Sequence, residues 1–193
     1  MGLDLKRVDF SDWIIQTIPK KERHSLADLI SQKINDCDSR EFPYDGDDEY
    51  PRIGSYGSYD VFRTCLRILT GDSMEIDSND LDEGDIWVIN YFKENLNVKP
   101  VKIPYVSHIL ETGDCDTVLL PVLFDEPFEY KDYFFGSSIG FRLALESFGK
   151  ILNFNLAEPE ELIEMNPVKL SKNIAKIFYK FLIEKPDIAV EFC

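Results

Sequence analysis

The 193-residue chain is poor in the residue types that advertise chemistry. It has two histidines, His24 and His108, and four cysteines, Cys37, Cys65, Cys115 and Cys193, with no CxxC pair among them. Scattered ligands of this kind form no zinc or haem signature and no disulfide framework, so free thiols, a cytoplasmic location and no cofactor are expected. The opening residues MGLDLKRVDF lack the apolar core of a secretory signal, and Lys6 stands where the myristoylation pattern needs Ser or Thr. No apolar run approaches the roughly 18 residues needed to span a bilayer. There is no GxGxxG and no Walker loop, which leaves nucleotide binding without support. Positive charge is scarce too. Lys and Arg total 21 against 36 Asp and Glu, a net charge of −15, and that field opposes nucleic acid and anionic membranes as partners.

What the chain has is apolar content and acid. At 44% hydrophobic it suffices for one sizeable core, and the expected fold class is α+β: a single domain over 1–193 with a small, mostly antiparallel sheet covered by amphipathic helices. Helices are predicted over Val8–Ile18, where a strand is the alternative, stopped by Pro19; over Ser25–Cys37, capped by Ser25; and over Ser58–Thr70, with Ser58 as cap and Gly71 as the left-handed terminator. The second half adds a helix over Ile139–Leu152, a short one at AEPEELIEM and a last one over Leu170–Glu184. The apolar run Ile86–Phe92 reads as a buried strand, with a helical turn as the alternative. IPYVSHIL and TVLLPVLF read as an antiparallel pair around Gly113–Asp116, KDYFF as a short strand, and DIAVEFC as an edge strand.

Three acidic stretches fall in expected loops: Asp45–Glu49, Asp77–Asp85 and Asp114–Asp116. The second mimics a calcium loop, but counting from Asp77 puts Leu81 fifth, Asp82 sixth and Val88 twelfth, where a ligand, a glycine and a glutamate belong, so no metal site is expected. The residues expected to meet a basic protein partner are Asp47, Asp48, Glu49, Asp80, Asp82, Asp114 and Asp116, with His108 beside the last turn.

Two nucleophile patterns compete with this reading. Gly136–Gly140, GSSIG, satisfies GxSxG with Ser138 in the nucleophile position, yet both histidines lie upstream, and the fold that uses the motif places acid and then histidine after the serine. Capping of a helix by Ser137 or Ser138 accounts for the same residues. His108 and Cys115 lie seven residues apart, but Asp114 and Asp116 flank the thiol and disfavour its thiolate. A small hydrolase or transferase using His108 with Cys115 or Ser138 stands as the alternative function, and a structural subunit of an assembly as a third.

The stretch PYVSHILETGDCDTVLLPVLFDEP, with the later GSS and its helix, resembles a group of bacterial cytoplasmic proteins. In that group a histidine-bearing strand leads to a His-Ser-Asp-x-Asp/Glu-Gly turn, a Pro-Val-x-Phe strand and a Gly-Ser-Ser helix start. Asp114, Asp116, Pro121, Val122, Phe124, Gly136, Ser137 and Ser138 match over about 60 residues. Thr112 and Gly113 replace the His-Ser pair, and Thr117 replaces the glycine. The group comprises uncharacterised and immunity-type proteins of toxin systems, so the resemblance implies binding, with a basic protein such as a toxin as partner, rather than turnover.

Overall fold

Strand β1, Gly2–Val8, opens the computed structural model, which describes residues 2–34, 52–72, 82–96, 99–112, 116–158 and 166–192. Helices α1 (Phe10–Thr17) and α2 (Arg23–Ile34) follow, then β2 (Arg52–Ser55), α3 (Tyr56–Thr70), α4 (Glu83–Asn95) and the single turn α5 (Ser107–Leu110). Strands β3 (Thr117–Leu120), β4 (Phe128–Tyr130) and β5 (Tyr133–Ser137) lead into α6 (Ser138–Ile151), α7 (Pro167–Glu184) and β6 (Ala189–Phe192). The strands lie side by side in the order β2-β1-β6-β3-β5-β4. Every neighbouring pair is antiparallel except β3 and β5. The fold is therefore α+β with a mostly antiparallel sheet, as expected.

Alternation along the strands sends side chains to two cores. Leu3, Leu5, Leu119, Val190 and Phe192 face the layer of α3, α6 and α7, where Phe62, Phe141, Phe148 and Phe178 fill the interior. Val118, Leu120, Phe135 and Ala189 face α1 and α2, meeting Phe10, Trp13, Leu26 and Ile30. Among the described residues Arg7 is the one charged side chain buried in the first layer. It donates to the Phe181 carbonyl and to Glu184, both at 3.0 Å, and its guanidinium lies 4.0 Å from the centre of the Phe181 ring.

Several expectations are corrected. The run Ile86–Phe92 is helical, inside α4. Asp82 accepts from the Asp85 amide at 2.8 Å while Asp85 reaches back to the Asp82 amide, a capping box that starts the helix, and Val88 and Phe92 make its buried row. A continuous apolar run suits either period, and here the cap decides it. IPYVSHIL is no strand either: Tyr105 takes a positive φ of 59° and α5 follows, so β3 pairs with β5 and β6 instead. β6 is interior rather than an edge, between β1 and β3. The α3 helix starts at Tyr56, two residues before Ser58, because the cap is Ser55, which accepts from the Ser58 amide, and Arg52–Ser55 pairs with β1 where a loop was expected. In α2 the helix begins at Arg23, and the Ser25 hydroxyl bonds the Glu22 carbonyl rather than capping. The remaining helices keep close to expectation, with Gly71 left-handed after α3 and Ser137 capping α6. Most of AEPEELIEM lies outside the described residues.

Candidate functional site

α5, the loop after β3 and the β5–α6 junction converge on His108. Its side chain is fully buried and engaged at both ring nitrogens. Nδ1 accepts from the Ser137 backbone N–H at 3.1 Å, and Nε2 lies 2.9 Å from the Phe124 carbonyl. An amide can only donate and a carbonyl only accept, so the proton resides on Nε2. Burial pushes the imidazole below its ordinary value, against the weaker opposing pull of Phe124, Glu126 and Asp125, and the ring is neutral at pH 7. The Phe124 ring meets it edge-on at 5.1 Å, and the Tyr105 ring stacks on it at 6.2 Å.

The GSSIG segment is shaped around this imidazole. The Ser137 hydroxyl donates to the Val122 carbonyl at 2.6 Å and accepts from the Gly140 amide at 2.8 Å, so one side chain caps α6 and pins the loop after β3. A Cβ on Gly140 would stand 2.6 Å from His108 Cδ2, and one on Gly136 would stand 2.7 Å from Leu119 and 3.1 Å from Thr112. The Thr112 hydroxyl bonds the His108 carbonyl, and the Tyr59 phenol bonds the carbonyls of Ile109 and Thr112. His108, Val122, Phe124, Ser137 and Gly140 thus form a lock joining α5, the β3 loop and α6. Sequence reasoning made His108 a partly buried strand residue hydrogen bonded at one nitrogen and a candidate partner contact. The structure corrects the placement: it lies in the helical turn α5, fully buried and bonded at both nitrogens to backbone.

With both nitrogens occupied, His108 has no free position from which to activate a nucleophile. Among the described residues neither nitrogen is bonded to the Ser138 hydroxyl, which is itself buried. Cys115 lies outside the described residues, as do Cys37 and Cys193. Cys65 is a free thiol inside the core, pushed up to about 12 by burial, with the Ser171 hydroxyl pulling the other way. Among the described residues no group of three His, Cys, Asp or Glu side chains is arranged to hold a metal.

The expected contact residues divide. Asp47, Asp48, Glu49, Asp80 and Asp114 lie outside the described residues. Asp82 is exposed at the start of α4. Asp116 is exposed just before β3; its carbonyl accepts from the Phe134 amide at 2.9 Å, and its carboxylate, after burial, helps to push the Tyr133 phenol upward together with Asp132 and Glu191. α4 packs on α3 and α7 whereas Asp116 belongs to the sheet, so the two are carried by different layers.

Sequence reasoning missed Glu111, Asp125 and Glu126. These exposed acids surround the lock: Asp125 and Glu126 act on His108, and Glu111 is pushed above its ordinary value by partial burial and then by Glu126. None of the three is ion-paired with another described residue. Leu123, 44% exposed, lies in the same loop. The signal available was the Asp-Glu pair directly after the Pro-Val-x-Phe segment. A cavity of about 540 Å³ lies at the far end of α6, about 20 Å from the lock by the helix rise, and is lined by Glu146, Lys150, Asn153, Phe154 and Tyr179 among others. Tyr179 and Arg142 both approach its carboxylate, Glu146, at 3.5 and 3.8 Å.

The fold and site thus define an α+β protein with a neutral, fully engaged histidine beneath surface acids that no described residue pairs. No family model, no curated protein and no solved structure matches the chain. Among the described residues no helix is long and apolar enough to cross a membrane.

Proposed function

We propose that the chain is a non-enzymatic binding protein of the cytoplasm that engages a basic protein through its carboxylates, in the manner of an immunity-type protein occupying a toxin. The observation that carries this reading is the gathering of Glu111, Asp125 and Glu126 at one place with no cation of the described residues to neutralise them. Like charges held together cost stability, and a lysine or arginine brought by a partner relieves that cost. The His108 lock beneath fixes the loop that carries two of the three, so little ordering remains to be done on binding. The net charge of −15 adds long-range attraction for a cationic protein. The reduced Cys65 suits a cytoplasmic protein.

Affinity capture from the source cell tests the reading. The expected result is a cationic protein whose affinity falls as salt rises, since screening acts within about 10 Å at 0.1 M. Recovery of no cationic protein, or of one whose binding ignores salt, overturns it. A toxin-like reading frame beside this gene would identify the partner.

A further inference from the structure

We propose that the outward face of α4 is a second docking surface for the basic partner, in addition to the acids around His108, with Ile86 and Trp87 as apolar anchors for a cationic segment that carries apolar side chains of its own; the proposal rests on the binding reading above. α4 has two rows at helical spacing. Asp85, Val88 and Phe92 turn inward, and Asp85 accepts from the Thr64 hydroxyl of α3. Glu83, Ile86, Trp87, Asn90 and Glu94 turn outward and are all exposed. Ile86 is 46% and Trp87 38% exposed, adjacent large apolar groups on a face that a surface helix normally makes polar. Tryptophan is the side chain most often found at the centre of a protein contact, and a rim of polar groups around it is the usual setting.

The occupant follows from the charge around the pair. Asp82 and Glu83 stand exposed at the N-terminal side and Glu94 at the C-terminal side, whereas Lys93 is the only cation of the helix. A second copy of this chain would set these carboxylates against their own kind in a molecule already at −15, and an anionic bilayer is repelled for the same reason. A segment with apolar groups flanked by lysine or arginine satisfies both the anchors and the rim.

The test uses two synthetic peptides on the full chain. One is a lysine-rich helix with leucines at i, i+3, i+4 and i+7; the other has serine at each leucine position. The chain has two tryptophans, and Trp13 is buried, so Trp87 is the responsive fluorophore. The leucine peptide is expected to shift tryptophan emission to the blue, with the shift absent in Trp87→Phe, and to bind at least tenfold less tightly to Ile86→Ser by anisotropy of a labelled peptide. The serine peptide is expected to bind weakly and leave the emission unmoved. If the leucine peptide binds in a salt-sensitive manner but neither Ile86→Ser nor Trp87→Phe alters the result, the α4 surface is overturned while the binding reading stands. Equal affinity for the two peptides also overturns it. If neither peptide binds, the reading of a basic partner falls, and the docking surface with it.

Discussion

His108 and Ser137, 29 residues apart in sequence, are joined by a 3.1 Å bond from the Ser137 amide to the imidazole Nδ1. A backbone donor at the first residue before α6 would otherwise be buried without a partner. His108→Ala removes both this acceptor and the donor to Phe124, and is expected to destabilise the fold by about 2–4 kcal/mol, read from urea unfolding. The pH dependence has a defined sign. The folded-state value lies below the ordinary 6.5, so the unfolded chain binds the proton more readily. The stability contributed by His108 is complete above about 6.5 and is lost as pH falls toward the folded value. The same scan on His108→Ala should lack this component.

Gly140 presses on the same ring. Within a helix, Gly→Ala ordinarily stabilises by about 0.5–1 kcal/mol. At Gly140 the added methyl would lie 2.6 Å from His108 Cδ2 and 3.0 Å from Nε2, so the sign reverses, with an expected loss of about 1–3 kcal/mol. Gly57 in α3 is the control: its nearest contact for a Cβ is 3.7 Å from the Ser55 hydroxyl, and Gly57→Ala should be neutral or stabilising. Thermal unfolding of the two variants decides the matter.

Glu111 is held above its ordinary value of 4.5 by partial burial and by Glu126. Between the ordinary and the folded value the native state therefore keeps a proton that the unfolded chain has released. Its contribution to stability is fullest below about 4.5 and declines as pH rises through the folded value. At neutral pH Glu111→Gln relieves the repulsion and should raise the melting temperature slightly, by no more than about 0.5 kcal/mol in stability, since the group is exposed. Carboxyl titration by NMR in Glu126→Gln should move Glu111 back toward 4.5.

Cys65, with its thiol pushed up to about 12, should resist alkylation in the native protein at pH 8 and react only once denaturant opens the core. Mapping the alkylated peptides by mass spectrometry separates it from the other cysteines. Rapid native labelling at Cys65 would contradict its packing between α3 and the start of α7, where its sulfur lies 3.7 Å from the Pro167 carbonyl.

The helices α3, α6 and α7 were legible because each carries an apolar stripe at 3.6 spacing, to which α6 adds the Ser137 cap and α3 a terminating Gly71, whereas the caps Ser55 of α3 and Asn166 of α7 were not read. β1 was not read as an element because Leu3 and Leu5 alternate with charged residues for only a few positions. Its inward Arg7 looks like a surface residue until Phe181 and Glu184 are placed around it. α4 was misread because β-branched and aromatic residues favour strands on average, while the local cap and the contacts with α3 override that preference.

By itself the sequence determined the apolar content of a core, the acid surplus, the apolar stripes of α3, α6 and α7 and the presence of a GSS segment primed to cap one of them. These follow from periodicity and from interactions within a few residues. Only the tertiary structure decided that β6 lies inside the sheet, that β3 and β5 run parallel, and that His108 closes a lock on Ser137 and Phe124. Which strand pairs with which, and which polar group meets a buried amide, depend on contacts between distant residues, and no local pattern encodes them.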